Sequence, residues 1–242
     1  MAESFARLKE SFIFNFIEGA RWKYITNGLW VTLKVTFFAL LLGVAIGVVV
    51  AMIRSAYDQM KDEMKPGFGK TMLTVLNTIA RLYLTVIRGT PVVVQLLIGY
   101  FVIFVSTTNT VFVASMVFGI NSGAYITEII RGGIMSIDHG QFEAGRSLGF
   151  DYFQTMRFIV IPQAFKNVLP ALANEFIALL KETAVCGYIG LMDLTKGGDV
   201  IRGRTFSAFM PLIVVAAIYL GLVIFFSWLV GKLERRLRSN ER

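Results

Sequence analysis

Thirty-nine consecutive residues, Gly89 to Thr127, carry no charge at all. A helix needs only about 20 apolar residues to cross roughly 30 Å of hydrocarbon, so this stretch is too long for one crossing. The polar string Ser106-Thr107-Thr108-Asn109-Thr110 interrupts it, which predicts two spans joined by a tight turn. The earlier of the two is expected to start near Leu76, pass Arg81 and Arg88, and bend or break at Gly89-Thr90-Pro91, where proline removes a donor and clashes with the preceding turn. The later one is expected from about Val111 to Ile130. Two other uncharged runs, the 19 residues 35 to 53 and the 27 residues Thr205 to Gly231, supply two further spans. Pro211 is tolerable there in a first helical turn. A segment from about Val168 to Ile189 is expected to form the remaining span, although Glu175, Lys181 and Glu182 lower its hydropathy. The prediction is an all-α, polytopic transmembrane bundle of five spans, with 1–242 as a single domain.

Composition supports a bilayer as the solvent. Hydrophobic residues make up 55% of the 242 and charged ones 17%, too little polar material to cover a soluble globule of this size. A net charge of +8 is explained by Lys and Arg crowding the cytoplasmic loops, so nucleic acid is not expected as a partner. With the tail inside, fifteen basic residues fall on the cytoplasmic side (54–88, 131–166 and the tail after Gly231) and seven on the other. That bias predicts N-terminus outside and C-terminus cytoplasmic. Residues 1–27 show no short apolar core with a small-residue cleavage site, so no removable signal peptide is expected. Cys186, alone in an apolar stretch, reads as a small buried hydrophobe.

Between the third and fourth expected spans lies DHGQFEAGRSLGFDYFQTMRFIVIP, within the loop 136–165. It reads as two short helices. Gln141 to Leu148 would form the first, with small Ala144, Gly145 and Ser147 allowing close contact and Gly149 free to take the left-handed conformation that ends a helix. Asp151 with Gln154 matches a capping box for the second, which Pro162 would end or kink after Phe158, Ile159 and Ile161 anchor it on the membrane face.

This loop resembles the coupling motif of ATP-binding-cassette import permeases: Glu-Ala-Ala, three residues, Gly, nine residues, then Ile-x-Leu-Pro. Glu143 and Ala144 match, Gly145 replaces the second alanine, Gly149 stands at the required spacing, and Ile161-Pro162 stands for Leu-Pro. Arg88-Gly89-Thr90-Pro91, Asn121-Ser122-Gly123-Ala124-Tyr125, Glu128 and Arg131-Gly132-Gly133 look like the polar amino-acid branch of those permeases. The resemblance covers residues 28 to 231. It implies a subunit of the bacterial inner membrane that pairs with a second permease chain, identical or not. It also implies a separate cytosolic ATPase that docks on Glu143, Ala144, Gly145, Gly149, Asp151 and Pro162, and an external amino-acid-binding protein that delivers the solute.

Other features carry blander explanations. Gly69-Lys70-Thr71 lacks the glycine of a nucleotide loop, since Met64 holds that position, so no ATPase site and no cofactor is expected in this chain. Gly43 and Gly47 have the spacing of a close helix contact, which is also frequent by chance in membrane helices. His139 reads as a solvated loop residue, and Glu143 as a helical partner of Arg146. Charges inside spans are harder to dismiss, because each costs several kcal/mol unless it faces a cavity or a partner. Glu175 and Glu182 are seven apart and share a helical stripe; Asn174 and Lys181 form a parallel one. With Glu128 they offer acceptors for an ammonium and a cation for a carboxylate, as an amino acid requires. The alternative is a set of structural ion pairs. Acid exceeds base in this set, which favours solutes with a second positive charge, such as arginine or lysine.

Overall fold

A computed structural model describes residues 2–61 and 64–239; residues 1, 62, 63 and 240–242 lie outside it. Every element among the described residues is helical, in agreement with the expected class. The α-helices are α1 (Ala2–Phe12), α2 (Trp22–Met60), α3 (Phe68–Gly89), α4 (Val92–Ile98), α5 (Thr110–Met135), α6 (His139–Ser147), α7 (Tyr152–Thr155), α8 (Ile161–Glu182), α9 (Leu194–Thr205) and α10 (Phe209–Ser239). Helices α2, α5 and α10 are long and apolar enough to cross a membrane, and a fourth crossing is counted if α3 and the segment after it form one broken span. The break falls at Thr90-Pro91, as expected. Helix α8 does not meet the same test, for the reason its charges gave.

The helices form two compact units. The first comprises 1–39, 92–118 and 177–228. Its core is Phe16, Ile25, Leu194, Ile201 and Val215. Helix α9 lies against the start of α2 at backbone distance: a Cβ on Gly28 would meet Asp193 O at 2.5 Å, and one on Gly197 would meet Tyr24 O at 2.5 Å. Asp193, fully buried, caps α9 by accepting from the backbone N–H groups of Thr195 and Lys196, and Thr32 Oγ1 accepts from Leu194 N. Such caps satisfy donors that a buried helix start would otherwise leave open. Burial outweighs those hydrogen bonds and pushes the Asp193 carboxyl up to about 6.

The second unit comprises 40–91, 119–176 and 229–242. Gly43 and Gly47 do mark a close helix contact here: a Cβ at Gly43 would lie 3.2 Å from Gly123 N, and one at Gly47 would lie 2.5 Å from Ile126 Cγ2. Small residues let two helix backbones approach in this way. Tyr83 seals the same region by donating its hydroxyl to Ile120 O at 2.6 Å.

Candidate functional site

Within the second unit, the loop after α5 folds as a tight elbow. Asp138 caps α6 by accepting from Gly140 N, so the helix starts two residues before Gln141. Gly149 takes φ +81°, the left-handed turn that glycine permits without strain. Asp151 and Gln154 form both hydrogen bonds of the expected capping box. Of the two outcomes expected at Pro162, an end or a kink, the helix does not end: a π-turn over Met156–Val160 precedes it, and Pro162 sits in the first turn of α8, where a missing N–H costs little. That wider turn also shifts the phase. Met156, Val160 and Ala164, four residues apart, pack with Ile134 of α5, whereas Phe158 and Ile161 stay exposed.

Gly145 explains its own departure from Glu-Ala-Ala. A Cβ there would lie 2.7 Å from both Thr155 Oγ1 and Thr155 Cγ2, and Thr155 is buried. The outer side of the elbow is free of such constraint: Glu143, Ala144, Ser147, Leu148 and Phe153 are all exposed. His139 Nδ1 stands 3.5 Å from Glu143 Oε1. Tyr152 lies on the inner side, where burial pushes its hydroxyl up to about 12.

The same unit holds a cavity of about 550 Å³ lined by Arg54, Arg81, Thr85, Arg88, Tyr125 and Glu128, with Leu84 and Gly89. Glu128 Oε1 lies 3.7 Å from Arg88 Nη1 and 3.7 Å from Arg131 Nη1. Arg131 also reaches Asp58 at 2.9 Å. Arg54 Nη1 donates to Asn77 Oδ1 at 2.8 Å, and its Nε is buried with no hydrogen-bond partner. The guanidinium of Arg88 lies 5.7 Å from the Tyr125 ring centroid, and that of Arg81 lies 5.9 Å from Tyr57. Sequence reasoning passed over this grouping. Only one wall of it was legible, on α3, where Lys70, Thr74, Asn77, Arg81, Thr85 and Arg88 recur at helical spacing.

Glu175 Oε1 accepts from Ser122 Oγ at 2.8 Å and is not among the cavity's lining residues. Asn174 is exposed on the same helix. Lys181, exposed, and Glu182, half-buried, end α8 in the first unit. In that first unit a second hollow, of about 390 Å³, is lined by Tyr188, Thr195, Lys196, Asp199 and Arg202, among others. Arg202 and Lys196 both bond Asp199 and hold its carboxyl below the usual range.

Residues 70–239 match the family described as binding-protein-dependent transport system inner membrane component. The chain belongs to this family. Among curated members it is 35% identical over 221 residues to the arginine transport system permease protein ArtQ of Bacillus subtilis, covering 90% of this chain and 94% of that one. It is 35% identical over 210 residues to the glutamine transport system permease protein GlnP of Escherichia coli K12, covering 85% and 90%. Among solved structures it resembles an amino acid ABC transporter crystallised with histidines, at TM-score 0.79 and 39% identity over 91% of this chain and 98% of that one. The match to the inner membrane component includes α3 with its arginines, α5 with Glu128, and the whole elbow.

Proposed function

We propose that this chain is the permease subunit of an ATP-driven importer of polar amino acids in a bacterial inner membrane, with five spans, the N-terminus outside and the C-terminus cytoplasmic. The observation that carries it is the likeness, over 90% and 85% of the chain, to permeases named for arginine and for glutamine. In this reading α8 with the short helical turns after it, Thr183–Ile189, supplies the span that hydropathy undercounts. Two permease chains, identical or not, pair around a path that opens alternately to either side. A separate cytosolic ATPase engages the elbow built by Glu143, Ala144, Gly145, Gly149, Asp151 and Pro162, on its outer side, where Glu143 and Ala144 are exposed. An external binding protein delivers the solute.

The exposed face of the elbow supports the ATPase contact: Leu148 and Phe153 are 71% and 66% exposed beside the charged Glu143, a patch of mixed character that a partner would cover. Glu128, Asn174, Glu175, Lys181 and Glu182 are proposed to face the solute, because polar groups at membrane depth are retained for such use. The excess of Glu175 and Glu182 over Lys181 favours basic amino acids, arginine before glutamine. Uptake by proteoliposomes holding permease, ATPase and binding protein tests the importer: accumulation must require ATP, and uptake without ATP would instead mark a channel or secondary transporter. Competition between labelled arginine and glutamine in wild type and Glu182→Gln tests the preference. Equal losses for both solutes would return these glutamates to structural ion pairs.

A further inference from the structure

We propose that the arginine-lined cavity binds the carboxylate of the transported solute, and that Glu128 holds that position as a resident stand-in until solute displaces it. The solute's identity as an amino acid rests on the function proposed above; the carboxylate chemistry rests on the cavity itself. Among the described residues, Arg54, Arg81, Arg88 and Glu128 line one cavity, and Arg131 beside it reaches both Glu128 and Asp58. Asp58 is closely held by Arg131 at 2.9 Å. Glu128 is not: its carboxylate stands 3.7 Å from each of two guanidinium groups, beyond the roughly 2.7–2.9 Å of a charge-assisted hydrogen bond. It is also 38% exposed. A loosely shared carboxylate is one that a better-placed carboxylate can replace.

The remaining donors point the same way. Each guanidinium carries five N–H donors in a fixed fork suited to a carboxylate, and Arg54 has a buried Nε with no partner. Arg81 and Arg88 are seven residues apart on α3 and so share one face. The volume, about 550 Å³, lies within the range of small-molecule sites. A lipid phosphate offers similar oxyanion chemistry. The carboxylate is preferred because a carboxylate already occupies the position between Arg88 and Arg131.

The test uses the purified permease–ATPase complex without binding protein, in phosphatidylcholine nanodiscs, titrated with L-arginine and with agmatine, which is arginine without its carboxylate. Wild type is expected to bind arginine about tenfold or more tighter, the scale of one or two hydrogen bonds to a charged group. The ratio should fall toward one in Arg88→Gln and Arg81→Gln, and survive in part in Arg88→Lys. Glu128→Gln should tighten arginine several-fold, a gain that damage to folding cannot produce. Equal binding of arginine and agmatine by wild type, or a ratio unchanged in both glutamine variants, overturns the proposal. So does phosphatidylglycerol that co-purifies with wild type, is lost in the arginine variants, and leaves the ratio untouched, since the cavity would then hold lipid phosphate. Acetate separates the two layers. Arg88-dependent acetate binding without response to arginine would sink the amino-acid reading and keep the carboxylate site, whereas silence toward both acetate and arginine would sink the site.

Discussion

Thr155 fills the space that a side chain on Gly145 would need. The hypothetical Cβ lies 2.7 Å from the threonine Oγ1 and Cγ2 and 3.2 Å from its Cβ, so α6 and α7 meet with no room for a methyl group. Gly145→Ala is therefore expected to cost about 1–3 kcal/mol of overpacking, less about 1 kcal/mol that alanine gains as a helix former. Thr155→Ala in the same chain should return part of that loss, since it removes both of the nearest atoms and a buried hydroxyl that has no hydrogen-bond partner. Thermal melts of the four species of this cycle give the coupling directly; additive effects would mean that the two helices part easily.

The turn beyond α6 yields a second prediction. Gly149 stands at φ +81°, and no atom lies within 4 Å of where its Cβ would be. Gly149→Val therefore fails through backbone strain alone, at about 1–2 kcal/mol or more for a β-branched residue. Ala144 is exposed, so Ala144→Trp should leave the permease folded. Both variants should lose solute-stimulated ATP hydrolysis. Retention of stimulation by both would remove the elbow from coupling.

Asp193 gives a pH dependence whose sign is fixed. Burial raises its carboxyl from 3.8 to about 6 in the folded chain, so the fold binds the proton more tightly than the unfolded chain does. The stability this adds is complete below about 3.8 and is lost as pH rises through about 6. Two pKa units correspond to about 3 kcal/mol at most. Asp193→Asn keeps a cap acceptor without the charge, so its melting temperature should lack the wild type's fall between these pH values. Parallel profiles for the two proteins would assign the dependence elsewhere.

Orientation can be read by labelling. Cys186 is fully buried and so a silent background. Gly203 is exposed with open space about it, so Gly203→Cys should react with an impermeant thiol reagent added outside. Lys61→Cys and Lys232→Cys should be protected until the membrane is opened. The reverse pattern would invert the topology.

How much of this was legible in the sequence depended on how far apart the partners lie. The break at Gly89-Pro91, the Asp151 capping box and the Gly149 turn are local, and each is fixed by residues within four positions of one another. The inward face of the elbow, Met156, Val160 and Ala164, was hidden because the π-turn at Met156–Val160 departs from regular helical spacing. The arginine cavity was missed for a different reason. Arg54 and Asn77 are 23 residues apart, and Asp58 and Arg131 are 73 apart, so no spacing along one helix reveals that they meet. Glu175 and Glu182 share a stripe in sequence, yet the contact resolved for Glu175 is to Ser122, on a helix 53 residues earlier.

Gly28 against Asp193 and Gly197 against Tyr24 form a reciprocal pair: a Cβ on either glycine would come within 2.5 Å of a main-chain carbonyl oxygen of the other segment. A side chain can turn aside from an intruding methyl group, but a carbonyl in a helix or a cap cannot. These two sites therefore admit no replacement, although neither lines either hollow described above. Among related chains they should tolerate as little drift as the residues that handle solute. Invariance at Gly28 and Gly197 would then record the thickness of the backbone, and anyone ranking positions by evolutionary constraint would have to set them aside before reading a transport pathway from the rest.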